Sequence, residues 1–287
     1  MRVLITGSSG FVGSVLAPRL IEAGHQLFCV CRPKTLVMFG ETVVWDGTSA
    51  LMSKFPAAID VIIHLAQSRS YRNFPADSSE MFDVNVAMTM SLLQWAARSE
   101  VRQFCLASSG AVYEPFTGPL REDAAVAPGG FLGASKFASE IIARPFCSLF
   151  NLNVLRLFFP FGPGQRERLI PDLIKRVRSG EAIQVTTDGD GMRLVPTFVE
   201  DIADVFLASV EQSWRGTMNV AAPEALSIRE ISELIGRQLG IEPKLEIVRR
   251  APVEIIPNLD RLAERFDLGR FTRFEEGLRK TIGTRCL

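Results

Sequence analysis

Gly7, Gly10 and Gly13 stand at G-x-x-G-x-x-G spacing near the start of a 287-residue chain. That spacing suits one kind of chemistry, the binding of a pyrophosphate. A dinucleotide's phosphates must come close to the backbone and to the positive end of a helix, and a Cβ at Gly7 or Gly10 blocks the approach. Gly13 lets helix and strand pack closely. Ser9, Phe11 and Val12 occupy positions between the glycines, and the helix is expected to start near Ser9. The competing account is a tight turn that holds no ligand. Metal chemistry has no comparable support: there are two histidines, and the five cysteines (Cys29, Cys31, Cys105, Cys147 and Cys286) are scattered.

The elements around the glycines give them their context. Val3, Leu4 and Ile5 form a short apolar run suited to a strand buried on both faces. Val12, Leu16, Leu20 and Ile21 recur at helical spacing, Gly24 is a helix stop, and residues 27–30 read as a second strand. Further strands are expected over residues 42–45, 59–64, 102–107 and 153–158. Long helices are expected over residues 81–99 and 134–150, the second kinked at Pro145. This alternation implies an α/β protein with a doubly wound parallel sheet of Rossmann type. Ligands in such sheets bind at the carboxyl ends of the strands, which gathers residues 7–13, Arg32, Asp46, residues 66–70, Ser108, Ser109 and residues 159–161 on one rim.

The character changes at Phe161-Gly-Pro-Gly-Gln165. Helices are expected over residues 169–179, 199–212 and 227–239, the last opened by a capping box of Ser227 and Glu230. Short strands are expected over residues 182–187, 194–198, 217–220 and 244–248, and the tail over 259–282 is mostly helical. The chain therefore divides into a dinucleotide-binding domain, residues 1–160, and a smaller mixed α/β substrate-binding domain, residues 161–287. Residues 199–220 are expected to return to the first sheet. Thirty-two basic residues balance 32 acidic ones, so neither nucleic acid nor a membrane surface is indicated as a partner. With a first strand expected to begin at residue 2 or 3, no signal peptide is expected, and no apolar run reaches membrane-spanning length. A reduced, cytoplasmic protein is the simplest expectation.

With these pieces in order, the chain resembles the extended short-chain dehydrogenase/reductases, specifically the NAD(P)-dependent epimerase/dehydratase family that acts on nucleotide-sugars. The resemblance is carried by Thr6-Gly-Ser-Ser-Gly-Phe-Val-Gly13, His64-Leu-Ala66, Asn85-Val86, Ser108-Ser-Gly-Ala-Val-Tyr113, Gly133-Ala-Ser-Lys136, Leu155-Arg-Leu-Phe158 with Gly162-Pro-Gly164, Arg193, Phe198-Val-Glu-Asp201, Asn219 and Glu275-Glu-Gly-Leu278. It implies NAD or NADP on the first domain, touching Gly7, Ser9, Gly10, Phe11, Val12, Gly13, Arg32, Asp46, Leu65, Ala66 and Lys136. It also implies a nucleotide-sugar in the cleft between the domains, near Tyr71, Ser109 and Arg193. In this family a Tyr takes a hydroxyl proton during hydride transfer, a Lys four residues later lowers the Tyr pKa, and a Ser bonds the reacting oxygen. The resemblance further implies a homodimer through helices 81–99 and 134–150, against which an intramolecular core competes.

The sequence departs from that pattern at its centre. Ser109 and Lys136 match the Ser and Lys, but the Tyr position is Leu132, and Phe131 has no hydroxyl either. Only Tyr71 and Tyr113 remain as tyrosines; Glu114, Glu122 and Asp123 are carboxylates nearby in sequence. Loss of a positioned base costs about 10²–10⁴ in rate. The chain is therefore either an enzyme with an atypical site or a catalytically silent binder of the same fold, and a reductase of smaller carbonyl compounds is a third reading. A second departure concerns the cofactor. Relatives that prefer NAD carry an acid at the end of strand two, where this chain has Cys31, Arg32 and, close by, Lys34. An arginine there suits a 2′-phosphate, so NADP is favoured over NAD.

Overall fold

The computed structural model of the chain describes residues 1–33, 38–45, 55–68, 73–118 and 120–283. They form two compact units, one of residues 1–115, 125–157 and 203–218, the other of residues 116–124, 158–202 and 219–287.

The first unit begins with β1 (Arg2–Thr6), α1 (Gly13–Glu22), β2 (Gln26–Cys31), β3 (Glu41–Val44) and β4 (Val61–His64). It continues through α2 (Ser78–Phe82), α3 (Met88–Arg98), β5 (Gln103–Ser109), α4 (Phe131–Ala143) and β6 (Asn151–Leu157). With strand Gly216–Val220 these build a seven-stranded sheet in which β6, β5, β4, β1, β2 and β3 follow that strand in order. Pairing is parallel from β6 to β3. The order turns at β1, where Thr6 lies level with Val30 of β2 on one side and His64 of β4 on the other. A crevice opens at such a turning point, at the carboxyl ends of the strands.

Both faces of the sheet are apolar, as a parallel sheet covered on both sides requires. Leu4, Phe28, Ile62, Phe104 and Val154 face a core that includes Trp45, Leu92, Leu93 and Phe150. Val3, Ile5, Ile63 and Leu155, alternating with them, are buried on the opposite face. On that side an ion pair joins Arg19 of α1 to Asp204, and Gln103 Nε2 donates to Ser209 O at 2.8 Å.

Two expected helices take a different form. The helix expected over residues 81–99 is two α-helical pieces joined by a π-helical segment, Asp83–Ala87. The hydroxyls of Thr89 and Ser139 converge on Asn85 O at 2.6 and 2.5 Å, and side chains inserting into a helical ladder widen it. The helix expected over 134–150 starts earlier, at Phe131, and ends at Ala143. Pro145 then sits in a 3₁₀ segment, Arg144–Ser148, since proline cannot continue the α-helical ladder.

After β6 the elements run β7 (Pro160–Phe161), α5 (Leu169–Ser179), β8 (Ile183–Val185), β9 (Arg193–Leu194), β10 (Thr197–Phe198), α6 (Val199–Glu211) and β11 (Gly216–Val220). Then come β12 (Leu226–Ser227), α7 (Ile228–Leu239), β13 (Leu245–Ile247), β14 (Glu254–Ile255), α8 (Asp260–Ala263) and α9 (Phe274–Gly283). The single strand expected over 194–198 is two short ones with different partners: β9 lies between β12 and β14, whereas β10 pairs with β7. The second unit has its own core around Phe161, Leu173, Ile174, Phe198, Ile231 and Phe274. Its helix α7 opens on a complete capping box, Ser227 and Glu230 making both bonds.

Candidate active site

The glycine turn fits between β1 and α1 because three backbones nearly touch there. Gly7 has φ +74, and a Cβ on it would stand 2.8 Å from Ala66 N and 2.9 Å from the Leu65 carbonyl carbon. A Cβ on Gly13 would fall 2.1 Å from Gly7 O. Gly10 N donates to Gly7 O at 2.9 Å, so the turn closes on itself and α1 begins at Gly13 rather than near Ser9. A Cβ on Gly10 would meet Gly7 O at 3.0 Å and otherwise open space. No side chain caps α1, and its first turn carries no acid. Ser14 N and Val15 N bond the backbone oxygens of Gly10 and Val12, at 2.9 and 3.2 Å, and the positive end of a ten-residue helix beside a surface without side chains suits a pyrophosphate. Leu65 and Ala66 lie against this turn. At the end of β2, Cys31 is buried and Arg32 exposed. Asp46, Lys34 and Tyr71 lie outside the described residues.

The same rim holds a buried chain of hydrogen bonds that sequence reading missed. Ala66 N donates to Thr6 Oγ1 at 3.2 Å, and Thr6 Oγ1 lies 2.6 Å from His64 Nδ1. His64 Nε2 lies 3.0 Å from Thr89 Oγ1, whose own proton goes to Asn85 O. Because the Thr89 proton is used on Asn85 O, Nε2 carries the ring proton and donates to Thr89; in the neutral ring Nδ1 then accepts from Thr6. Burial and the nearby Lys136 charge agree, lowering the His64 pKa from 6.5 to about 3. Asn85 extends the chain: Ser68 N donates to Oδ1 at 3.3 Å, and Nδ2 donates to Ser135 Oγ at 2.9 Å. Thus the loop after β4 and helix α4 are held by one buried polar network, which costs little only because its donors and acceptors are matched.

Ser109 and Lys136 come together on this frame. Ser109 ends β5 and caps the 3₁₀ turn Gly110–Tyr113, its Oγ accepting from Ala111 N at 3.1 Å. Lys136, on α4, is 4 % exposed and donates to Ala107 O at 3.0 Å. Burial lowers its pKa from 10.5 to about 8, against the pull of Glu140. The first turn of α4 is pressed on the Ser109 turn, since a Cβ on Gly133 would fall 2.3 Å from Ala111 O. Leu132 is half-buried in that first turn, one helical turn before Lys136.

Tyr113 does not replace the missing tyrosine. Its hydroxyl accepts from Arg156 Nη1 at 2.7 Å, and the guanidinium lies over its ring, 4.9 Å from the centroid. Arg156 also donates to both Glu140 oxygens, at 3.0 and 2.6 Å, and Ser108 Oγ donates to the same carboxylate. This buried assembly locks Tyr113 below the rim in a structural role. In the second unit, Arg193 on β9 is partly exposed, with Nη2 3.5 Å from Ala225 O and Nε 3.9 Å from Glu254. Among the described residues no group of three or more His, Cys, Asp or Glu side chains could hold a metal ion, and no helix is long and apolar enough to cross a membrane.

Comparison with known proteins agrees with the fold. Residues 3–221 match the NAD dependent epimerase/dehydratase family. A UDP-N-acetyl-alpha-D-glucosaminuronate decarboxylase from Bacillus cytotoxicus is 26% identical, across 98% of this chain and 96% of that protein. A dTDP-4-dehydro-6-deoxy-D-allose reductase from Streptomyces bikiniensis is 26% identical, across 88% of this chain and 85% of its own. The solved structure of MoeE5 in complex with UDP-glucose and NAD superimposes with a TM-score of 0.84 at 26% identity, covering 99% and 98% of the two chains.

Proposed function

The chain belongs to the NAD dependent epimerase/dehydratase family, and we propose that it binds a nicotinamide dinucleotide on the glycine turn and acts on a nucleotide-sugar from a site that lacks the usual tyrosine base. The observation that carries this reading is the meeting of the glycine turn before α1 with the loop after β4, on the rim that also holds Ser109 and Lys136. When bound, the dinucleotide supplies hydride transfer. The backbone of residues 7–13 holds its phosphates. Lys136 presents a cation beside the reacting centre, and the Ser109 hydroxyl, oriented by Ala111 N–H, donates to the substrate oxygen. Arg193 is the cation offered to the nucleotide's diphosphate. A substrate of this class fits the activities of those relatives.

Arg32 after β2, flanked in sequence by Cys31 and Pro33 rather than an acid, supports the 2′-phosphorylated cofactor; Asp46 is proposed to contact the adenosine half and Tyr71 the substrate. A second copy of the chain is proposed to cover the apolar surface of the helices around Phe82 and Ile141, which are 53% and 49% exposed. Buried free thiols at Cys29, Cys31 and Cys105 suit a reducing compartment, and we assign the protein to the cytoplasm.

The test is to denature the purified protein, identify any released nucleotide by mass spectrometry, and titrate the emptied protein with NADP and NAD. NADP should bind more tightly, and Arg32→Ala should weaken NADP by about 10–100-fold while sparing NAD. Failure to bind either dinucleotide would overturn the reading. Leu132 supports a second one, a binder without turnover: Leu132→Tyr then supplies a base that an intact site converts into activity, and a variant that stays inert sinks the enzyme reading.

A further inference from the structure

Removing the proton from a sugar hydroxyl requires an acceptor within hydrogen-bond reach of that oxygen, and neither Phe131 nor Leu132 has one. Three carboxylates follow the Ser109 turn in sequence. Glu122, in the second unit, is engaged: its buried carboxylate accepts from Asn219 N at 2.8 Å and lies 3.8 Å from Arg261 Nε. Asp123 is exposed and pairs with Arg121 at 3.4 Å.

Glu114 is placed differently. It closes the 3₁₀ turn that Ser109 opens, its N–H bonding Ala111 O at 3.2 Å. Its carboxylate lies against the backbone of Gly130, the residue before α4, so closely that a Cβ on Gly130 would stand 2.4 Å from Oε2. The Gly130 N–H holds the carboxylate there. Leu132 is two residues further on, and Lys136 one turn beyond it. Ser109 and Glu114 bound one 3₁₀ turn, Leu132 and Lys136 lie on the first turns of α4, and Gly130 and Gly133 press the two together. Burial pushes the Glu114 carboxyl above its ordinary range, against the pull of the Gly130 N–H. A stronger base results.

We propose that Glu114 is the general base of this site, taking over the proton transfer that the position of Leu132 cannot perform. The inference rests on the nucleotide-sugar reading above. The substrate's O–H bond breaks and its proton passes to a Glu114 oxygen. The oxidised dinucleotide, when bound, would accept the hydride of the same carbon, so that a secondary alcohol would become a ketone, the carboxylate a carboxylic acid and the nicotinamide its reduced form. Lys136 keeps its place against Ala107 O and offsets the charge that develops on the oxygen.

The experiment uses the full-length protein with UDP-glucose as probe. Calorimetry gives the affinities for dinucleotide and UDP-glucose, thermal unfolding gives the midpoint, and single-turnover absorbance follows the reduced nicotinamide. Glu114→Gln should leave both affinities and the midpoint unchanged and slow nicotinamide reduction by about 10²–10⁴. Formate should restore turnover to Glu114→Ala, because a small carboxylate can enter the space left behind. Gly130→Ala, at an extended backbone position (φ −90, ψ 146) that tolerates alanine, should also lose turnover by displacing the carboxylate. Full turnover in Glu114→Gln overturns the proposal, as does a loss of turnover matched by a loss of affinity and unmoved by formate. Wild-type protein that binds both ligands without forming reduced nicotinamide overturns it too. Wild-type protein that binds neither removes instead the reading beneath it.

Discussion

Replacing Lys136 by Met should stabilise the protein at neutral pH while removing its chemistry. The amine is buried at the carboxyl end of β5, and burial lowers its pKa from 10.5 to about 8. At about 1.4 kcal/mol per pH unit, holding the charged form in the folded state costs on the order of 3 kcal/mol. Methionine has a similar length and no charge to desolvate. It leaves Ala107 O without its donor, a loss of about 1–3 kcal/mol. The expected net gain at pH 7 is about 0–2 kcal/mol. The pH dependence is the sharper readout. Between pH 8 and 10.5 the unfolded chain still carries the proton that the folded chain has lost, so wild-type stability rises by about 1.4 kcal/mol per pH unit. The variant has no such rise, and its advantage should close and then reverse by pH 10. Urea unfolding of both proteins from pH 7 to about pH 10 measures this, and a gap that stays constant across the range would refute the assignment of Lys136 as a buried, desolvated amine.

Gly13→Ala places a Cβ 2.1 Å from Gly7 O, so the turn must open; dinucleotide titration should show at least about a tenfold loss of affinity. His64 is neutral when folded, with a pKa of about 3, and unfolds to a group of pKa 6.5, so the protein should lose about 1.4 kcal/mol per pH unit as pH falls below 6.5. His64→Gln should flatten that slope between pH 6 and 4, and equal slopes in the two proteins would contradict it.

Much of the first unit was legible because its signals are local. The glycine spacing, the apolar run over Val3, Leu4 and Ile5, and the helical periodicity from Val12 to Ile21 each lie within a few residues, and together they specify strand, turn and helix. The capping box at Ser227 was readable for the same reason, its two partners being three residues apart. The absence of a tyrosine at residue 132 is likewise a fact of sequence.

Tertiary structure decided what the polar residues do. Thr6 and His64 are 58 residues apart, and His64 and Thr89 are 25 apart; only parallel pairing of β1 with β4 and the packing of α3 bring them into one chain of hydrogen bonds. The π-helical segment at Asn85 arises from hydroxyls of two different helices, which no single-segment periodicity records. Residues 116–124 join the second unit although they lie between segments of the first, because their contacts are made there. Glu114, Glu122 and Asp123 look alike in sequence. Burial against Gly130, capture by Asn219 and exposure beside Arg121 give them three different fates, since a carboxylate's chemistry is set by solvation and by the donors that reach it.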